Sequence, residues 1–370
     1  MKQLQIQKGE KYGRIENSEE PNGYLEETAF INSAKQTEQF SIEENAKQLK
    51  KAQKIYFQNG ITTVQDGLTK KGEFELLKYA AKNQMLDLDV ISYIEMMNNK
   101  QILQENPEYV KQYQNRLKIG GYKIVLDGSP QGKTAWLSKP YEGEKQYRGY
   151  PTHTNQEVER FVAEALKEDV QLLAHCNGDQ ASEQLIEAFE KEEKQFSNDI
   201  RPVMIHSQTV THKQLEHMKK IKIIPSFFIA HIYYWGDIHI KNLGKRAYHI
   251  SPAKYARNHG LIYTFHQDTP VIMPNMLETI WCAVNRITKQ GVVLGEDEKL
   301  DVYDSLKAVT IYSAYQYFEE NEKGSIKEGK LADLIILDKN PLKIEKSKIN
   351  QIKVLQTIKE GKVVFTIQEK

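Results

Sequence analysis

Two cysteines, Cys176 and Cys282, stand in a chain of 370 residues. They are too few for a disulfide framework, and their scarcity fits reduced thiols in a cytoplasmic protein. Long apolar runs are also missing. A stretch such as ADLIILD from Ala332 falls far short of the roughly 20 residues a membrane span needs. The opening residues, MKQLQIQKGEKYGR, have no apolar core and so do not form a signal peptide. Neither charge is in excess, with 51 Lys and Arg against 50 Asp and Glu, which argues against nucleic acid or an anionic membrane as partner. Solenoid-type repeats and low-complexity tracts are absent. What is present, 39% apolar and 27% charged residues, suits a soluble globular protein with a sizeable core.

A regular alternation begins near residue 41. Ser41 with Glu44 reads as a capping box, and Ala46, Leu49, Ala52, Ile55 and Tyr56 follow at helical spacing until Gly60. ITTVQDG then reads as a strand. The unit repeats, with helices expected over 71–85, 107–118, 154–167, 180–193, 211–220 and 252–259. Strands are expected from Leu86, Gly121, Gln171, Arg201, Ile221 and Leu261. Short buried-type strands separated by helices argue for a parallel sheet. Seven such units fit a (β/α)8 TIM-type barrel lacking its first strand better than an open sheet. A helix over 302–318 and three antiparallel strands follow, the last two joined at Glu360-Gly361, as a remnant C-terminal β-sandwich segment. The expected domains are a linker or insertion over 1–40, the barrel over 41–320 and the β segment over 321–370.

Barrels place their chemistry at the C-terminal ends of strands. Here those ends carry Asp66, Lys123, Asp127, His175, Asp179, His206, Gln208 and Asp268, with His231 just past the strand from Ile221. Neutral imidazole and carboxylate are ordinary ligands of a borderline divalent metal. Taken singly, a strand histidine is more often a core residue satisfied by a backbone carbonyl, and Lys123 a solvated loop lysine. Joint placement at one mouth is what raises the functional reading. His212, His217, His239, His249 and His259 sit in or beside polar helical stretches and read as surface residues. Trp136, Tyr141 and the run Tyr233-Tyr234-Trp235 could line an apolar substrate pocket or could pack.

At these same residues the chain resembles amidohydrolase family 3, in the branch of N-substituted formamide deformylase-like enzymes. GITTVQDG from Gly60, KIVLDGSPQGKTAWLSKPY from Lys123, AHCNGDQA from Ala174 and RPVMIHSQ from Arg201 each resemble a family motif. PSFFIAH from Pro225, HQDTPV from His266 and GSIKEGKLADLIILDKNPL from Gly324 do so as well, all in the family's order. The resemblance implies a barrel with a metal site, usually zinc, acting on an amide-like small molecule. Carried over by motif, the metal ligands are Lys123 as a carbamate, His175, His206 and Asp268. Asp268 doubles as the base that takes a proton from water. His231 resembles the substrate-side histidine; Trp136, if its loop lines the pocket and does not simply pack, is the other candidate substrate contact.

The family's H-x-H metal pair occurs nowhere in the 370 residues. Ile205 stands where the family has Glu, and His266 and Gln267 stand where small residues are usual. Three explanations follow from the missing pair: a fragment from a misplaced start or split gene, a degenerate pseudoenzyme, or a barrel completed by a partner, whether a complementing N-terminal fragment or a homodimer. Two classes of function therefore stay open. One is a metal-dependent hydrolase of non-peptide carbon–nitrogen bonds. The other is an inactive relic that binds a small molecule in the same pocket.

Overall fold

Side-chain caps start helices where the spacing predicts. Ser41 and Glu44 exchange hydrogen bonds at 2.9 and 3.2 Å ahead of α1 (Ile42–Gln58). Full capping boxes open the helices at Asn155–Lys167 and His212–Lys220, where Thr154 pairs with Glu157 and Thr211 with Gln214. The computed structural model describes residues 12–14, 21–25, 40–196 and 198–368. It divides into two units, Met1–Asn45 and Ala46–Lys370. In the first, β1 (Tyr12–Arg14) pairs antiparallel with β2 (Pro21–Leu25).

The second unit holds a seven-stranded parallel sheet in which each strand pairs with the next in sequence. Its strands are β3 (Thr63–Thr69), β4 (Asp89–Glu95), β5 (Leu117–Val125), β6 (Gln171–Cys176), β7 (Val203–His206), β8 (Ile224–Phe227) and β9 (Thr264–Phe265). The helices between them are α2 (Lys71–Lys82), the short α3 (Met96–Asn99) and α4 (Gln101–Glu105), α5 (Asn155–Lys167), α6 (Asp179–Glu192), α7 (His212–Lys220), α8 (His231–Leu243) and α9 (Ala253–Asn258). This is a curled TIM-type half-barrel with helices, as the alternation predicts. Ile91, Tyr93, Leu173, Val203, Ile205 and Ile224 pack together as a small cluster, with Tyr113, Tyr315 and Tyr317 against it. Gln316 ties the two edge strands together: it accepts from Thr264 on β9 at 2.7 Å and donates to Gln65 on β3 at 3.4 Å.

The helix expected over 107–118 does not form. That stretch holds only a short 3-10 turn at Pro107–Tyr109, and β5 starts early, at Leu117. Lys111, Asn115 and Arg116 take left-handed backbone (φ 59°, 49° and 72°), which a right-handed helix cannot include. The helical turns of this crossover come earlier, in α3 and α4. The helix expected over 302–318 is broken in two. After α10 (Met276–Asn285) come α11 (Val302–Ala308) and α12 (Ile311–Gln316). The C-terminal strands, β10 (Leu334–Leu337), β11 (Val354–Lys359) and β12 (Lys362–Thr366), form an antiparallel sheet in chain order. Glu360 and Gly361 both have positive φ (50° and 79°), the geometry of a tight two-residue hairpin turn. No helix among the described residues is long and apolar enough to cross a membrane.

Candidate active site

The loop after β5 is anchored before it can carry chemistry. The buried carboxylate of Asp127 accepts backbone N–H groups of Trp136 (2.9 Å), Asn177 (2.9 Å) and Gly178 (2.7 Å). A Cβ on Gly178 would stand 1.8 Å from the Trp136 carbonyl oxygen, so glycine is required for this close approach. Asp127 is therefore an organiser of the mouth. Asp179 holds Ser138 in the same way, accepting from its backbone N–H at 2.9 Å. Trp136 is half-buried against the main core. Asp66 lies within β3 and accepts from the Thr69 hydroxyl at 2.7 Å; burial raises its carboxyl above the ordinary value.

The histidines meet at the ends of β6, β7 and β9. Strict alternation along β7 would set His206 opposite in sense to Ile205, which packs in the small interior cluster. The left-handed backbone at His206 (φ 75°) and Ser207 (φ 47°) ends that alternation. The His206 ring then stands edge-on to His175, centroids 4.3 Å apart, with its Nε2 at 3.0 Å from His175 Nδ1. On its other side, His206 Nδ1 is 3.2 Å from His266 Nε2, and His266 Nδ1 is 3.0 Å from the Ser226 hydroxyl. At the far end, His175 Nε2 meets the Gly128 carbonyl at 3.3 Å and the Asn177 amide nitrogen at 3.0 Å. Three imidazoles thus form one hydrogen-bonded row.

The row is neutral. Burial, then Lys123, lowers His175 to about 4. Burial lowers His266 to about 4 against the pull of Asp268, and burial with its two imidazole neighbours drives His206 well down. Lys123, on β5, is 6% exposed and makes no hydrogen bond or ion pair among the described residues. Burial lowers it to about 8, opposed in part by Asp268. Asp268 itself is exposed just past β9, with φ 54°. His231 opens α8; its ring lies 4.5 Å from Phe228 and 4.6 Å from Trp235, and Phe228 also lies 5.3 Å from His266. The structure therefore brings Lys123, His175, His206, His231 and Asp268 into one neighbourhood.

Two members are not evident from residue order. His266 reads from sequence only as a departure from a motif. His239 reads as a surface residue and is instead fully buried, stacked on His231 with rings nearly parallel and centroids 5.3 Å apart. The spacing of eight places both on one face of α8, and that is the sequence cue that could have found it.

A metal's fit can be tested on the tautomers. Two nitrogens bound to one zinc ion at about 2.1 Å each stand about 3.4 Å apart in a tetrahedral site, so His175 Nδ1 and His206 Nε2, 3.0 Å apart, need to part by only a few tenths of an ångström. Both nitrogens must be bare to bind, so each ring must carry its proton on the other side. Acceptors wait there: the Gly128 carbonyl for His175, provided the Asn177 amide, 3.0 Å from His175 Nε2, gives its N–H to that same carbonyl at 2.9 Å, and His266 Nε2 for His206, with Ser226 receiving the His266 proton. The pair fits a cation. Among the described residues, no group of three His, Cys, Asp or Glu side chains stands in position to hold one.

Known proteins of similar sequence place the chain. The family described as Amidohydrolase family matches residues 2–365. A putative amidohydrolase, YtcJ of Bacillus subtilis (strain 168), is 27% identical over 256 residues, covering 67% of this chain and 47% of that protein. An N-substituted formamide deformylase of Arthrobacter pascens is 25% identical over 247 residues, covering 66% and 45%. The chain thus spans about half the length of these curated relatives. A solved structure of an uncharacterised metal-dependent hydrolase from Pyrococcus horikoshii OT3 superposes with TM-score 0.77 at 24% identity, covering 90% of this chain and 68% of that one.

Proposed function

The chain belongs to the amidohydrolase family, and on that footing we propose that its barrel mouth serves hydrolysis of a carbon–nitrogen bond in a small amide-like molecule, with N-substituted formamides the first class to try. The observation that carries this reading is the neutral His175–His206 pair, its inner nitrogens 3.0 Å apart and its outer ones each matched to an acceptor. His175 and His206 would hold a divalent ion, zinc first among candidates. Lys123 as a carbamate and Asp268 would supply anionic oxygen. When bound, the ion supplies a Lewis acid and makes water acidic enough to ionise near neutral pH.

The chain's own groups do the rest. Asp268, exposed at the mouth, takes a proton from water and returns it to the leaving nitrogen. His231 meets the substrate oxygen from the α8 side, with Phe228 and Trp235 walling off water. Lys123 as a free ammonium cannot ligate a cation, so its role depends on carbamate formation, which the lowered basicity of this buried amine favours. The shortage of a third positioned ligand among the described residues supports a second reading, a pocket that binds the small molecule without turning it over.

Elemental analysis of the purified chain, with His175→Ala and His206→Ala beside it, separates the two. Zinc near one equivalent, lost in both variants, together with release of amine from an N-substituted formamide, supports the hydrolase. Well-folded protein that takes up no divalent metal defeats it and leaves the binding reading.

A further inference from the structure

His231 shares a single hydrogen bond with His239, Nδ1 to Nε2 at 3.1 Å. Both rings are neutral near pH 7: burial and then His239 hold His231 well below its ordinary value, and burial lowers His239 to about 4. His231 is also the first residue of the 13-residue α8, where the helix dipole disfavours a cation. One proton therefore lies between the two nitrogens, and it belongs to one ring or the other.

The two choices are not equal. If His231 donates from Nδ1, His239 must carry its own proton on Nδ1. That atom is sealed from solvent and has no hydrogen-bond partner among the described residues. A buried N–H without an acceptor is among the rarest defects in folded proteins, and it costs about 1–3 kcal/mol. If His239 donates from Nε2, its sealed Nδ1 is only a bare lone pair, the lesser defect. His231 then has a bare Nδ1 and carries its proton on Nε2. That nitrogen has no partner among the described residues, and unlike His239 Nδ1 it is not sealed off.

We propose that His239 is a positioning residue that locks His231 in the Nε2–H tautomer, making it a fixed hydrogen-bond donor at the mouth and restricting the site to ligands that present an acceptor oxygen there. His231 is thereby excluded as a general base at Nε2, which leaves proton abstraction to a carboxylate. The choice of ligand rests on the hydrolase reading above; the tautomer does not.

The test is ring ¹⁵N–¹H correlation spectroscopy of the full chain labelled at histidine, near pH 7.5, with His231 assigned by the loss of its signals in His231→Asn. The expected spectrum shows His231 protonated on Nε2 and bare on Nδ1. His239→Phe, which removes the donor, should shift His231 into a mixture of tautomers, and His239→Gln, which restores an N–H, should return it. With an N-substituted formamide, His239→Phe should lower kcat about tenfold or more with KM little changed, and His239→Gln should recover most of it. A wild-type His231 protonated on Nδ1 overturns the proposal, as does a His231 tautomer indifferent to His239→Phe. The wild-type spectrum distinguishes the two tautomers even if a variant fails to fold. A correct tautomer in protein that shows no hydrolysis sinks the enzymatic reading alone.

Discussion

The two ends of the barrel handle buried charge in opposite ways. At the floor, Asp89 starts β4 and meets Lys323 (2.7 Å), Lys359 (2.7 Å) and Arg116 (3.0 Å). Lys323 also reaches Glu319 at 2.7 Å, Lys359 reaches Asp333 at 2.8 Å, and Lys118 pairs with Glu319. Every one of these charges has an opposite charge in contact. At the mouth, Lys123 is as deeply buried and has none in contact among the described residues. The floor is a closed network joining β4, β5, the segment after α12 and the C-terminal sheet. The mouth leaves donors and lone pairs without partners among the described residues. The stability of the folded chain explains the first arrangement; the second is the one the proposed ligand would use.

Breaking the floor should cost most. Asp89→Ala removes the carboxylate that three cations share, leaving Lys323 on Glu319, Lys359 on Asp333 and Arg116 on Glu360, and should lower unfolding free energy by about 3 kcal/mol, the low end for breaking a buried ion pair, read by urea denaturation. If the loss is below about 1 kcal/mol, the network is solvated and the contrast with the mouth fails. Filling the mouth should act in the other direction. Zinc at about a hundred times its dissociation constant should stabilise the chain by about 2.7 kcal/mol, seen as a rise in Tm that His206→Ala abolishes.

Lys123→Met removes the unpaired cation and should raise the stability of chelator-treated protein by on the order of 1–3 kcal/mol near pH 7. The sign follows from proton binding. Lys123 is lowered to about 8 from its ordinary 10.5, so between those values the unfolded chain holds the proton that the folded chain has released. Stability contributed by this site therefore rises with pH above about 8, and the advantage of Lys123→Met should shrink there. The floor has its own limb. Burial alone would raise Asp89 and Glu319, yet their lysine partners hold both below the ordinary carboxylate range. Their contribution is present above the unfolded values near 4 and is lost as pH falls through the lower folded values. The mouth acts earlier: unfolded histidine takes up a proton below about 6.5 while His175 and His266 stay neutral down to about 4, so falling pH should weaken the mouth first and the floor only below about 4. Ser226→Ala, which removes only the end of the imidazole row, should cost about 1 kcal/mol or less by the same denaturation measurement.

Much of this architecture is readable from residue order. Capping boxes at Ser41, Thr154 and Thr211 declare themselves by a Glu or Gln three residues on, because the pattern is local. The Glu360-Gly361 turn is legible for the same reason. The helix expected over 107–118 fails because apolar spacing says nothing about three residues that adopt left-handed backbone. His266 and His239 escape a sequence reading for a different cause. A histidine's role depends on what faces its two nitrogens, and for His266 those partners, His206 and Ser226, lie 60 and 40 residues away in sequence.

Residue order by itself determined the parallel strand sequence, the helix starts, the C-terminal hairpin and the set of side chains gathered at one end of the sheet, since strand period and cap chemistry act over a few residues. Tertiary structure alone decided which nitrogen faces which, why Lys123 has no counter-charge in contact among the described residues while Asp89 has three, and that His239 lies beneath His231 and not in solvent. Those outcomes depend on burial and on contacts between distant segments, and desolvation has no signature in a local string of residues.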